Sequence, residues 1–194
     1  MEPARSELLS ELFTHGRAHD AELADRHQRL RNVEPETAAL MAVLVRALAA
    51  RRLLELGTSN GYSTIWLGDA AESHGGRVLS VDLDPGRAEQ ARENIARAGL
   101  GDVVELRLQD AGEALAGLPD EGADFIFMDA ERTEYVSYWE HLLRVLARPG
   151  LLVVDNAISH AEEMAAFRAL AEGDERASVA LVSVGAGVLV ISRA

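Results

Sequence analysis

The amino-acid sequence predicts an α/β protein: a mostly parallel sheet that ends in an antiparallel hairpin, with helices on both faces and extra helices in front. Three observations predict it. From Arg52 onward, short apolar runs alternate with amphipathic helical stretches, the pattern of right-handed βαβ units. The last two apolar runs, VALVSV and GVLVIS, are separated only by Gly185-Ala186-Gly187, too short for a crossover and suited to a hairpin. The first fifty residues show only helical spacing.

In SELLSELF and in TAALMAVLVRALAA apolar residues recur three and four apart, and Pro35 suits the first turn of the second helix. The strand-like runs that follow are RLLELG, GRVLSVDL, DVVELRL, ADFIFMDA and GLLVVDN. Helical stretches lie between them: STIWLGDAAESH, GRAEQARENIARAG, DAGEALAGL and EYVSYWEHLLRVLARPG, with AEEMAAFRALAEG before the hairpin. About five parallel strands and an antiparallel pair result. No repeat or linker interrupts the chain, so residues 1–194 read as one domain, with N-terminal helices over 1–50 and the α/β core over 51–194.

Composition narrows the function by exclusion. The chain has 194 residues, 48% of them hydrophobic, enough for a full core. Its formal charge of −13 leaves no basic face for nucleic acid. No apolar run approaches the ~18 residues of a membrane span, and the N-terminal MEPARSELLSELF lacks an apolar signal core. Cysteine is absent, which excludes disulfides and thiolate metal sites. These features predict a cytoplasmic protein with no membrane or nucleic-acid partner.

The segment Leu53–Ser63 leads from a strand into a helix. Gly57 allows a sharp turn and Gly61 a close backbone approach by a ligand. The G-x-x-x-G spacing is neither the dinucleotide G-x-G-x-x-G nor a phosphate loop, and Glu55 beside it would repel phosphate and attract an amino group or sulfonium. Alone, two glycines are equally compatible with an ordinary turn. Asp82 ends the next strand, where an acid accepts hydrogen bonds from ribose hydroxyls; Asp84 and Pro85 better suit the helix start behind it. Asp110-Ala111 follows the third strand at the edge where an adenine would lie. Acids at three successive strand ends describe a nucleoside pocket without a phosphate.

With these residues in place, the sequence resembles the class I S-adenosylmethionine-dependent methyltransferases, and in particular the catechol and caffeoyl-coenzyme A O-methyltransferase family, over roughly residues 30 to 193. The resemblance implies a Rossmann-like methyltransferase fold with a seven-stranded sheet. It places Asn32-Val33 over the methionine part of the cofactor. Glu55, Gly57, Thr58, Gly61, Tyr62 and Ser63 of LELGTSNGYS fall at its amino-acid end, Asp82 with Leu83 at the ribose, and Asp110-Ala111 at the adenine. Phe127-Met128-Asp129-Ala130 resembles the family's fourth strand ending, Tyr135 and Tyr138 follow at familiar offsets, and Arg148-Pro149-Gly150 leads into Leu152-Val153-Val154-Asp155-Asn156.

In metal-dependent relatives the first Asp and the later Asp-Asn pair hold one Mg²⁺, which implies Asp129, Asp155 and Asn156 here, with Asp129 also beside the cofactor. Two carboxylates and an amide oxygen are hard ligands suited to Mg²⁺ or Ca²⁺, and they stand at the carboxyl ends of adjacent strands. The other reading of Asp155-Asn156 is a simple turn start. A bound metal would acidify one hydroxyl of an aromatic diol for attack on the methyl group. The family's lysine base, three residues after the first metal Asp, is here Arg132, and arginine cannot act as a base. Three readings stay open: the metal alone suffices while Arg132 steadies the phenolate, His160 is the base, or the acceptor is not a catechol.

Ser159 with Glu162 fits a capping box that would leave His160 exposed in a first helical turn. His15 and His19 are four apart on a helix that Gly16 weakens, and with His27 they read as surface residues. Trp66 and Trp139 read as packing residues. The leading expectation is a magnesium-assisted O-methyltransferase for a small aromatic diol, with homodimerisation open. Its rivals are a metal-independent methyltransferase and a silent S-adenosyl-L-methionine-binding module.

Overall fold

A computed structural model describes residues 1–25 and 28–194. His27 lies outside the described residues. Two helices lead, α1 (Pro3–Glu22) and α2 (Pro35–Leu48), the latter with its proline in the first turn. The alternation then runs β1 (Arg52–Leu56), α3 (Tyr62–Glu72), β2 (Arg77–Asp82), α4 (Pro85–Arg97), β3 (Val104–Leu108), α5 (Ala111–Gly117), β4 (Ala123–Met128), a 3₁₀ turn (Arg132–Glu134), α6 (Tyr135–Val145), β5 (Leu146–Val154), α7 (Ala161–Gly173), β6 (Ala177–Val182) and β7 (Val188–Arg193).

The seven strands form one sheet in the order β3-β2-β1-β4-β5-β7-β6. Strands β1 to β5 are parallel, and β7 is antiparallel to both β5 and β6. The hairpin thus folds back, so that β7 rather than β6 extends the parallel sheet. Chain order runs outward from β1 to β3 on one side and from β4 to β5 on the other. A crevice opens where such connections diverge, at the carboxyl ends of β1 and β4.

Successive side chains on a strand point to opposite faces, and both faces are apolar. Leu53, Phe125, Phe127 and Val153 meet the face covered by α1 to α4. Leu54, Ile126, Met128, Leu152 and Val154 meet α5 to α7. Trp139 is buried, edge-on to Phe167 at 5.7 Å, with its indole N–H donated to Asp174 at 2.9 Å. Trp66 packs partly buried against the other core, so both tryptophans are packing residues.

Three local expectations are corrected. The helix α6 stops at Val145 rather than running to Gly150: Leu146 already pairs with Ala123, and the register then shifts so that Leu151 faces Phe125, with Pro149 and Gly150 unable to support a helix. Helix α1 runs straight through Gly16, which is buried because Asn32 crosses it; a Cβ there would lie 2.6 Å from the Asn32 amide nitrogen. The Ser159–Glu162 capping box does not form. Backbone N–H groups of Ala157, Ile158 and Ser159 are donated to Gly187 and Ala186 in the hairpin loop, and His160 becomes the N-cap of α7 with no side-chain cap bond.

Phe125 is fully buried at the centre of the sheet. Its replacement by alanine is predicted to cost ~3–5 kcal/mol, read as a lower urea midpoint with an unchanged slope.

Candidate active site at the carboxyl edge of the sheet

The crevice is a cleft in two joined parts. Leu30 to Val33, Gly57 to Asn60, Tyr62 and Ser63 line its inner end. Val81 to Asp84, Gln109 to Ala111, Ala130, Glu131, Glu134 and Tyr138 line an outer part of about 290 Å³. Arg31, Gly57, Asp82, Arg87 and Asp129 border both.

The glycine at the first turn is required. Gly57 has φ +102°, and a Cβ there would strike the backbone carbonyl of Asp129. The two strand ends are tied by a bond from the Asp129 N–H to the Leu56 carbonyl at 3.0 Å. Asp82 shapes the loop, accepting from the N–H groups of Thr58 at 3.0 Å and Ser59 at 2.8 Å. Its other oxygen accepts from the Asp84 N–H at 2.9 Å. Asp84 itself caps α4, accepting from Gly86 and Arg87. Asp110 caps α5 through the Glu113 N–H at 3.0 Å while lining the outer cleft beside Ala111. Leu83, 66% exposed, lays an apolar side chain along the same wall.

Two glycine-loop residues have different neighbours from those the sequence suggested. Gly61, at φ +85°, faces helix α4: a Cβ would lie 3.2 Å from Ala91 Cα, so close helix packing requires it. Glu55 is fully buried and does not line the cleft. Its carboxylate accepts from the hydroxyls of Ser63 at 2.6 Å, Thr64 at 2.5 Å and Ser80 at 2.6 Å. It reaches the cleft through Ser63 and, by way of Ser80, through the Thr58 hydroxyl. Burial pushes its pKa up to about 7, against the opposing pull of those hydroxyls.

Asn32 and Val33 lie on the inner wall. The Asn32 amide donates to the Leu12 carbonyl at 3.1 Å, and its Oδ1 is buried with no partner among the described residues. Tyr62 is buried, with its ring 5.8 Å from that of Phe13. The inner wall of the cleft is therefore backed partly by α1.

Asp129 and Asp155 follow the last residues of β4 and β5, where Met128 pairs with Val154. Asp155 is 3% exposed. One of its oxygens accepts from the Asn156 amide at 2.8 Å, and Oδ1 is buried without a partner among the described residues. Burial raises both carboxyl pKa values. The Asp155 charge adds to the rise at Asp129, while Arg31 and Arg132 oppose it. Arg132 is buried and donates from Nε to Glu163 at 2.8 Å. His160 is not among the cleft-lining residues; its Nδ1 lies 2.9 Å from Ser159 Oγ. His15 and His19 stack at 6.2 Å on α1, with His15 exposed. Arg31, Arg87 and Ser59 are cleft residues that sequence reading passed over; they follow no periodic pattern, and only proximity to Asn32, Asp84 and the glycine loop pointed to them.

Glu55 supplies a pH prediction. Its folded pKa is raised, so the native state binds the proton more tightly than the unfolded chain, and its stabilising contribution is full below the unfolded value near 4.5 and lost as pH rises through about 7. In urea unfolding, the stability of the parent protein should fall across that window more steeply than that of Glu55→Gln. Parallel profiles would refute the assignment.

The comparisons with known proteins accord with this architecture. A family model described as O-methyltransferase matches residues 7–194. A catechol O-methyltransferase of Niastella koreensis is 41% identical over 131 residues, covering 66% of this chain and 58% of its own. One of Mycobacterium tuberculosis is 38% identical over 126 residues, covering 65% and 57%. The chain thus spans under three-fifths of the length of these two relatives. The crystal structure of an O-methyltransferase from Bacillus cereus in complex with SAH superposes with a TM-score of 0.80 at 29% identity, covering 97% of this chain and 91% of that one. The chain belongs to the O-methyltransferase family.

Proposed function

We propose that this protein is an S-adenosyl-L-methionine-dependent O-methyltransferase that uses a divalent metal, Mg²⁺ by the chemistry of its ligands, to methylate a hydroxyl of a small catechol-like aromatic. One observation carries the metal part of this reading: a buried carboxylate oxygen on Asp155, without a partner among the described residues, at the strand end beside that of Asp129. Burying such an oxygen without a partner is costly, and a hard cation is the partner that two carboxylates and an amide oxygen would select. Asp129, Asp155 and Asn156 fit that role. The unpartnered Asn32 Oδ1 and the turn that only Gly57 can make likewise fit a ligand with polar groups lying against the loop.

When bound, the metal supplies a Lewis acid that lowers the pKa of a hydroxyl, and the cofactor supplies the electrophilic methyl group. The chain's own residues bind, orient and exclude water. Asn32, Val33, Gly57, Thr58, Tyr62 and Ser63 would enclose the amino-acid end of the cofactor, with Glu55 fixing the Ser63 hydroxyl and Gly61 fixing the loop from behind. Asp82 and Leu83 would face the ribose, and Asp110 and Ala111 the adenine. Arg132, held by Glu163, contributes fixed positive charge next to the two acids and steadies negative charge as it develops on the acceptor oxygen. It takes no proton; a base role for His160 has no support in the lining of the cleft.

The test is methyl transfer from labelled S-adenosylmethionine to catechol with Mg²⁺ and with a chelator, using the parent protein and Asp155→Asn. Transfer should require the metal and fall ~10²-fold or more in the variant. Undiminished transfer in chelator would overturn the metal site and leave the methyltransferase reading intact.

A further inference from the structure

The chain carries a large net negative charge, yet two arginines line this cleft and a third, Arg132, is buried behind it where its charge acts on Asp129. Two are engaged. Arg132 is bound to Glu163. Arg87 donates to the Arg29 carbonyl at 3.0 Å and lies 3.9 Å from Asp84. Arg31 is different. Its backbone is held in the left-handed region, φ +50°, a conformation unfavourable for a long side chain. Asp20 clamps it there: one carboxylate oxygen accepts from the Leu30 N–H at 2.7 Å and the other from the Arg31 N–H at 2.8 Å. The guanidinium makes no hydrogen bond or ion pair with the described residues. It is exposed, borders both parts of the cleft together with Asp129, and its positive charge acts on Asp129.

A strained backbone fixed by two bonds, presenting an unengaged cation to the reacting end of a cleft, is the arrangement expected of an anion receptor. Near it, Asp84, Glu131 and Glu134 would repel an acidic ligand. Once Asp129 and Asp155 are satisfied by a divalent cation, no carboxylate among the described residues forms an ion pair with the Arg31 guanidinium, which stays open to one on a ligand. We propose that Arg31 recognises a carboxylate on the methyl acceptor, so that the favoured substrates are aromatic diols bearing an acidic group. This rests on the methyltransferase reading. The chemistry recognised is a carboxylate, which the cofactor's amino-acid end also carries; Arg31 borders the outer part of the cleft as well as the inner, which favours the acceptor, and the experiment separates the two sources.

The experiment compares 3,4-dihydroxybenzoate, 3,4-dihydroxybenzyl alcohol and 3,4-dihydroxybenzylamine, which share one diol and differ in charge. Turnover with S-adenosylmethionine and Mg²⁺ is measured alongside calorimetric binding to protein saturated with S-adenosylhomocysteine. The parent protein should prefer the acid, and Arg31→Gln should lower the acid-to-alcohol ratio of kcat/KM about tenfold or more, mainly through KM. Arg31→Glu should favour the amine. Added salt should shrink the parent's preference, since the guanidinium is exposed. An unchanged ratio in Arg31→Gln overturns the proposal. So does an equal loss for all acceptors with weakened S-adenosylhomocysteine binding, which would assign Arg31 to the cofactor. If none of the three is methylated, the catechol reading fails separately and calorimetry decides: acid binding weakened tenfold in Arg31→Gln supports the proposal, and absent or unaltered binding overturns it.

Discussion

Two carboxylates are forced together by strand register, and the rest of the site answers to that constraint. Because β4 and β5 are parallel and Met128 pairs with Val154, the next residue of each strand, Asp129 and Asp155, emerges at the same edge of the sheet. Burial raises the pKa of both acids, the Asp155 charge adds to the rise at Asp129, and such a pair disfavours the folded state unless a cation compensates it. Arg132 and Arg31 both oppose the rise at Asp129, one buried and tied to Glu163, the other exposed. Among the described residues no donor reaches Asp155 Oδ1, which leaves that compensation incomplete.

The elements around the cleft make sense as supports for this edge. The hairpin is more than an end to the sheet: its loop accepts three backbone bonds from residues 157–159 and so positions the chain that leaves Asp155 and Asn156. Helix α1 reaches the opposite wall, where Leu12 accepts from Asn32, Phe13 packs on Tyr62 and Asp20 clamps Arg31. Arg5 anchors that helix through the Ala98 carbonyl at 2.8 Å and ion pairs with Asp69 and Glu72. The residues before the sheet thus act on the cleft through a chain of direct contacts.

Most of the architecture was legible in the chain because its signals are local. Alternating apolar runs place the strands, three-residue spacing rules out a crossover before β7, and acids at strand ends mark the functional edge, since parallel connections leave no other place for them. What escaped depends on residues far apart in sequence. Glu55 looks like a ligand-facing acid until α3 and β2 bring three hydroxyls onto it. Gly61 looks like a ligand-approach glycine until α4 packs on it. The start of α7 turned on the hairpin loop, and the start of β5 on its pairing with Ala123. Arg31 sits where no periodicity exists, so only the fold reveals that it shares a cleft with Asp129.

If strand register holds Asp129 and Asp155 together to bind a cation, direct titration with Mn²⁺ detects it without relying on turnover. Water-proton relaxation measured during titration should report one bound ion per chain in the parent protein, and its loss in Asp155→Asn that remains folded by circular dichroism. Equal Mn²⁺ binding in both proteins, or none in the parent, would contradict it.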